Sequence, residues 1–162
     1  MSKIFLYTFA TALAVIGFVV WRGFVNTSGN HLAPLGKIGK VRVQKMDDST
    51  SLAIVDFNVR NDSDRNMVVR SLDLAVNMLD GTRVEGSIVS ASDAAKVFAA
   101  YPTLGEQYNQ GMKERDKVAP HESLDRMIIS RFDIPWTEME KRKNISLTVE
   151  DITGPTLRME AK

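Results

Sequence analysis

The residue types that most often carry chemistry in proteins are scarce in this sequence. It has no cysteine and two histidines, His31 and His121, neither of which has a second histidine at metal-ligand spacing. A solitary exposed histidine is expected at each position, rather than a metal ligand or a general base. No Gly-x-Ser-x-Gly nucleophile elbow and no phosphate-binding glycine loop occurs. The sequence therefore predicts a protein that is not an enzyme and holds no metal or cofactor of its own.

One segment approaches a calcium-binding pattern. Asp62-x-Asp64-x-Asn66 matches the first three ligand positions of a calcium loop. The sixth position should be glycine but is Met67, and the twelfth should be a bidentate glutamate but is Asp73. A plain β-turn, rich in residues that bond to their own backbone, is the favoured interpretation.

Length and charge narrow the class of protein. The chain has 162 residues, 44% hydrophobic and 25% charged, with a net charge of +1. This length suits one ordinary domain plus one extra element. A nearly neutral chain with interspersed charges gives no electrostatic reason to expect a nucleic-acid partner.

The N-terminal segment has the character of a membrane anchor. No residue from Ile4 to Val20 is charged, and a helix extended to Val25 would be about 33 Å long, which matches a hydrocarbon core of about 30 Å. A cleaved signal peptide is the alternative, but bulky residues follow the apolar run where a small-x-small cleavage site would be needed. We predict an uncleaved transmembrane helix over residues 1–25 that contacts the lipid bilayer.

Aromatic and basic residues mark the predicted boundaries of this helix. Tyr7 stands near one end, and Trp21, Arg22 and Phe24 stand at the other, as membrane-interface anchors do. The distribution of basic residues leaves the orientation open. A short N-terminal tail with one lysine favours an exported, periplasmic C-terminal domain, with a cytoplasmic domain as the alternative.

Three small residues lie on one face of the predicted helix. Ala10, Ala14 and Gly17 are spaced so that another helix, a lipid tail or a pigment can approach closely. We predict that this face packs against other membrane-protein subunits, although alanine is also common in membrane helices that pack against nothing.

Beyond a polar linker, residues 26–37, the sequence predicts a mainly β domain over residues 38–162. Apolar and polar residues alternate along several segments. In the first, Val41 and Val43 alternate with Arg42 and Gln44, and the next has its core face at Ala53, Val55, Phe57 and Val59. A second core face is predicted at Val68, Leu72, Leu74, Val76 and Met78. Further strands are predicted at 84–89, 124–132, 145–149 and 156–159, with a short inserted helix over 90–100. An antiparallel β-sandwich is the natural way to pack these strands.

Several motifs resemble a known class of sandwich domain. They are a strand ending in residues 57–61, the Asp80-Gly81 hairpin turn and the turn at residues 120–123 before a later strand. Together they resemble the immunoglobulin-like sandwiches of the late-embryogenesis-abundant type 2 and water-stress-hypersensitive-response class, and related bacterial membrane-anchored domains. The resemblance covers residues 41–159 and implies an immunoglobulin-like fold with no catalytic residues.

Two classes of function fit these expectations. The first is a non-catalytic accessory subunit of a membrane complex, such as a photosynthetic reaction-centre–antenna or respiratory assembly, whose helix packs in the membrane and whose domain docks on extramembrane partners. The second is a stand-alone, membrane-tethered module that binds a lipid, a peptide or an envelope component.

Overall fold

The computed structural model describes residues 3–27 and 34–162. The chain divides into two units, Met1–His31 and Leu32–Lys162. In the first unit a single helix, α1, runs from Lys3 to Thr27, two residues beyond the predicted anchor. Among the residues that are described, no helix is both long enough and apolar enough to cross a membrane.

The second unit contains a five-stranded sheet, which we call sheet 1. Its strand order is β1-β2-β8-β5, and β6 pairs in parallel with β8. The strands of this sheet are β1 (Leu35–Lys45), β2 (Ser51–Arg60), β5 (Ser87–Ile88), β6 (Gln110–Gly111) and β8 (Ser123–Phe132). The first strand begins three residues before the predicted domain boundary, because its partner β2 offers backbone groups as far as Arg60.

The opposing five-stranded sheet, sheet 2, has the order β10-β9-β3-β4, with β7 paired to β3. Its strands are β3 (Met67–Asn77), β4 (Arg83–Glu85), β7 (Lys117–Val118), β9 (Asn144–Asp151) and β10 (Thr156–Ala161). Short helices α2 (Ala94–Ala100) and α3 (Trp136–Met139) interrupt the strand sequence. The predicted mainly β sandwich with a short inserted helix is therefore confirmed.

The main core lies between the two sheets. Inward-facing aliphatic side chains supply most of it, with a few aromatic and methionine side chains; its fully buried members include Val55, Val59, Val69, Leu74, Phe132, Met139, Ile145 and Leu147. Burial of apolar area is the main favourable contribution to folding, at roughly 1.5–3 kcal/mol for each large aliphatic side chain.

Two β-bulges change which residues face this core. The register shifts between Val69 and Ser71, so Met67 and Val69 are buried while Val68 is half-exposed. The prediction that Val68 shares the core face of Leu72 was therefore wrong, because one extra residue in a strand reverses the alternation beyond it. A similar shift at Gly39 divides β1.

The predicted strand over residues 84–89 is divided between the two sheets. Its first part is β4, which pairs with β3, and its second part is β5, which pairs with β8. The chain crosses at Gly86, where an added Cβ would lie 2.3 Å from the Ser130 hydroxyl and 2.6 Å from the Phe132 ring. Only glycine fits this crossing without displacing buried atoms.

Candidate functional site

A segment inserted between β5 and β6 covers the outer face of sheet 1. It contains α2 and a 3-10 turn at Pro102–Leu104. The helix begins at Ala94, later than the predicted Ser90, whose hydroxyl donates to Asp93 Oδ2 instead of capping the helix. The segment and the sheet enclose a second hydrophobic cluster, whose buried members are Leu52, Ile54, Ala94, Leu104, Met127 and Ile129.

This cluster changes the environment of β2. The alternating sequence predicts a half-buried strand with Ile54 and Asp56 on a polar face, yet both are buried, Ile54 completely. The inserted segment excludes water from the face of sheet 1 that a simple sandwich would expose. The sequence periodicity of β2 could not reveal this burial. Alternation shows that the two faces of a strand differ in polarity, but it does not show which other segments cover each face.

At the edge of the second cluster lies a buried arginine, Arg42. Its Nη2 donates to Asp56 Oδ2 at 2.7 Å, and both side chains are less than 10% exposed. Its Nη1 donates to the backbone carbonyls of Leu104 at 3.0 Å and Glu106 at 2.8 Å. The guanidinium thus joins β1 and β2 to the inserted segment.

Aromatic rings and an amide complete the surroundings of this guanidinium. Arg42 Cζ lies 5.2 Å from the Phe98 ring centroid and 5.0 Å from that of Tyr108, within the range of cation–π attraction. The second oxygen of Asp56 accepts a 2.9 Å hydrogen bond from Asn109 Nδ2. Both charges are therefore hydrogen-bonded, as buried charges require.

Beside this network is an open cleft of about 410 Å³, here called the outer-face cleft. Its floor is formed by β1, β2 and β8, and its wall by the end of the inserted segment. The lining residues are Lys37, Gly39, Lys40, Asp56, Phe57, Asn58, Tyr108, Asn109 and Asp125. None of these residues is predicted from the sequence to line a site, because they lie on four separate segments, and Phe57 was expected only as a core residue.

A second, larger depression occupies the edge of the sandwich near β5. It has a volume of about 780 Å³ and is lined by Leu72, 88–92 and 112–114. Two charged residues, Lys113 and Glu114, line it, whereas four charged residues line the outer-face cleft, which is the better candidate for specific recognition.

The residues considered for metal chemistry are partly described. Within the described residues, no group of three or more histidine, cysteine or acidic side chains is placed to hold a metal ion. His121 contacts Asp64 at 3.1 Å, while Asp62 pairs with Arg60. The other histidine, His31, lies outside the described residues.

Asn61 organises the segment that resembled a calcium loop. Its Nδ2 donates to the carbonyls of Arg65, Val118 and Ala119, and its Oδ1 accepts from Ser63. Only 2% of Asn61 is exposed. Its amide therefore fixes two adjacent loops rather than binding a ligand.

The shifted pKa values belong to aspartates at the surface and to one lysine. The hydrogen bond between Lys96 and Asp93 lowers the pKa of Asp93 and raises that of Lys96. The pKa of Asp47 is lowered to about 2 because its carboxylate accepts hydrogen bonds from Thr50 and Ser49 in the β1–β2 turn. The pKa of Asp80 is lowered by hydrogen bonds from Thr82. These shifts reflect turn geometry and do not mark an acid–base pair.

The predicted site residues on α1 are partly described. Tyr7, Trp21 and Arg22 are exposed, and the Trp21 ring lies 6.2 Å from that of Phe18. On the small-residue face Ala14 is exposed, and a Cβ added to Gly17 would have nothing within 4 Å. The side chains of Ala10 and Phe24 lie outside the described residues.

Comparison with known proteins gives little guidance on function. No protein-family model and no curated protein matches the chain. The crystal structure of an uncharacterized β-sandwich protein from Clostridium difficile 630 is similar, with 11% sequence identity and a TM-score of 0.39. The similarity covers 81% of this chain and 87% of that chain. A likeness this distant supports no argument about activity or partners.

We predict that Arg42→Ala destabilises the second unit by about 3–5 kcal/mol, because it leaves the Asp56 carboxylate buried without its cation. Arg83→Ala is the matched control, since Arg83 pairs with Asp73 at 2.8 Å but the two side chains are 32% and 39% exposed. The control should cost less than about 1 kcal/mol. Equilibrium urea unfolding measures both values, and equal costs would contradict a structural role specific to Arg42.

Proposed function

We propose that this chain is a non-catalytic accessory subunit of a membrane protein complex, with α1 packed in the bilayer and the sandwich docked on extramembrane partners. The observation that carries the proposal is the surface of α1. Its large apolar side chains are more than half exposed over every side of the helix; they include Leu13, Val15, Ile16, Phe18, Val19, Val20 and Trp21. A helix that is apolar all round is stable when lipid or other protein surrounds it.

The membrane span itself is supported by the sequence. The uncharged run from Ile4 to Val20 includes residues whose side chains the structure does not describe. Together with the residues as far as Val25, this run has the length and composition expected of a single-pass anchor. Tyr7, Trp21, Arg22 and Phe24 would then lie at the two interfaces.

An immunoglobulin-like topology is part of the proposal. In immunoglobulin constant-type domains one sheet has the strand order A-B-E-D and the other contains C, F and G. Here β1, β2, β8 and β5 would take the places of A, B, E and D, and β10, β9 and β3 those of G, F and C. This correspondence supports the proposed likeness to the late-embryogenesis-abundant type 2 class, with which no catalytic residue comes.

The anchor is tested by placing a charge at the middle of the apolar run. Ile16→Lys should release the full chain from membranes during alkaline carbonate extraction, because a central lysine costs about 2.5–3.5 kcal/mol in a membrane helix. Arg22→Lys, which keeps the charge at the proposed interface, should remain in the membrane pellet with the unchanged chain. Recovery of the unchanged chain in the soluble fraction would refute the anchor.

We further propose that the sandwich lies on the exported side. The chain has no cysteine, so Glu114→Cys introduces a single thiol at an exposed position. A membrane-impermeant maleimide should label this variant in intact spheroplasts, while the cysteine-free chain stays unlabelled. Labelling that requires permeabilised membranes would place the domain in the cytoplasm.

The small-residue face is proposed as the contact with a neighbouring helix. Gly17→Leu should reduce co-purification with partner subunits in mild detergent, because bulk there prevents the close approach of a second helix. Ala12→Leu is the matched control, since Ala12 lies about 140° around the helix from Gly17. Native mass spectrometry of both variants makes the comparison. A lone monomer for the unchanged chain would exclude the accessory-subunit role.

The outer-face cleft favours a second candidate function, that of a membrane-tethered binding module. Its charged and aromatic groups converge beside the fixed Arg42–Asp56 pair, and its volume falls in the roughly 300–1,000 Å³ range of small-molecule sites. Under this alternative, binding requires no partner subunit, so Gly17→Leu would leave ligand affinity unchanged.

A further inference from the structure

The outer face of sheet 1 is covered at one end and open at the other. The inserted segment covers the rows that contain Ile54 and Met127, and it ends at Tyr108 and Asn109. Beyond it, cross-strand pairing places Lys37 beside Asn58, and Asn58 beside Asp125. This open end is the outer-face cleft, and all of its residues belong to the second unit.

The polar groups in the cleft are fixed by neighbours but not all are satisfied. Asn58 Nδ2 donates to Asp125 Oδ1 at 2.8 Å, and Asn58 Oδ1 accepts from the Ser123 hydroxyl at 2.9 Å. The other oxygen of Asp125 has no hydrogen bond within residues 34–162. Because Asn109 Nδ2 is bonded to Asp56, the Asn109 side-chain oxygen remains available as an acceptor.

Donors and an aromatic surface lie opposite these acceptors. Within residues 34–162, neither Lys37 nor Lys40 forms an ion pair, so their ammonium groups are available to a ligand. Lys40 Nζ lies 5.0 Å from the Tyr108 ring centroid, yet 58% of Tyr108 is still exposed. The ring therefore presents open surface at the cleft wall.

The charge balance favours a ligand that carries an anionic group. Arg42 and Asp56 neutralise each other, which leaves two lysines facing one unneutralised carboxylate, Asp125. Inorganic oxyanions fit poorly, because Asp125 would repel them and they offer no C–H surface to the Tyr108 ring. An aliphatic chain would leave the polar groups without partners, which costs binding free energy.

A saccharide that carries a carboxylate satisfies every group. Its hydroxyls can donate to Asp125 and Asn109, and its polarised C–H groups suit the negative face of the Tyr108 ring. Its carboxylate can pair with Lys37 and Lys40. We propose that the outer-face cleft binds an oligosaccharide containing hexuronic acid. This proposal goes beyond the accessory role and uses no residue of α1.

The test uses the full chain in detergent micelles, with tetragalacturonate as the probe. Saturable chemical-shift changes are expected at residues 37–40, 108–109 and 125. Maltotetraose, the uncharged saccharide, should bind at least about tenfold more weakly, and inorganic phosphate should show no saturable binding. Absence of saturation by tetragalacturonate at millimolar concentration would overturn the proposal, as would equal binding of maltotetraose or of phosphate.

Substitutions of residues that line the outer-face cleft test whether tetragalacturonate binds there. Tyr108→Ala and Lys37→Gln should each weaken tetragalacturonate binding by roughly tenfold, through loss of the ring surface and of a charge-assisted hydrogen bond. Lys45→Gln is the matched control, because Lys45 is an exposed lysine on the same strand that pairs with Asp48 outside the cleft. Lys37 is exposed, so Lys37→Gln should fold even if Tyr108→Ala does not. If Lys37→Gln binds as tightly as Lys45→Gln, the cleft is not the site.

Discussion

A buried ion pair, Arg42 with Asp56, fixes the position of the inserted segment on sheet 1. The pair is costly to bury, and its Coulombic attraction alone does not ensure a net gain in stability. Here the cost is offset by two backbone carbonyls, the Asn109 amide and two aromatic rings. The second hydrophobic cluster supplies the favourable burial, while the guanidinium determines where the segment lies and where it ends.

This arrangement makes the two outer faces of the sandwich unlike each other. The outer face of sheet 1 is apolar over most of its length and covered. On sheet 2 the outer face is polar, and Arg83 links Asp73 to Ser146 across three strands. Within residues 34–162, only the open end of sheet 1 combines a rigid floor, a wall fixed by Arg42 and groups that lack partners. A rigid site loses less conformational entropy when a ligand binds, so recognition is expected there.

Two surfaces of the chain, that of α1 and the outer-face cleft, favour different surroundings. The exposed apolar surface of α1 favours an apolar environment, whereas the outer-face cleft, as proposed, favours a polar ligand with both donors and acceptors. Among the described residues, no group of three or more histidine, cysteine or acidic side chains is placed to hold a metal ion. A binding or docking role is compatible with both surfaces. In the proposed accessory subunit the surface of α1 is the main contact, and in the proposed tethered module the main contact is the outer-face cleft.

The sequence by itself determined the class of the second unit. Alternation in β2, β8 and β9 and the Asp80-Gly81 turn predicted a sandwich, because strand periodicity and turn chemistry are local properties. The inserted helix was also predicted, although its start was placed four residues early. The apolar character of the N-terminal segment is likewise a property of sequence alone.

The tertiary structure determined which residues face the core, how one predicted strand is divided and which charged residues are buried. The bulges at Gly39 and near Arg70 moved core positions, and the crossing at Gly86 divided one predicted strand between two sheets. From the sequence alone, Arg42 and Asp56 would be expected to be ordinary exposed strand residues. They became a buried pair because a segment whose hydrogen-bonding residues lie 53 to 64 positions further along the chain folds over them. A contact between residues so far apart leaves no local pattern, and for that reason the outer-face cleft could be found only in the folded protein.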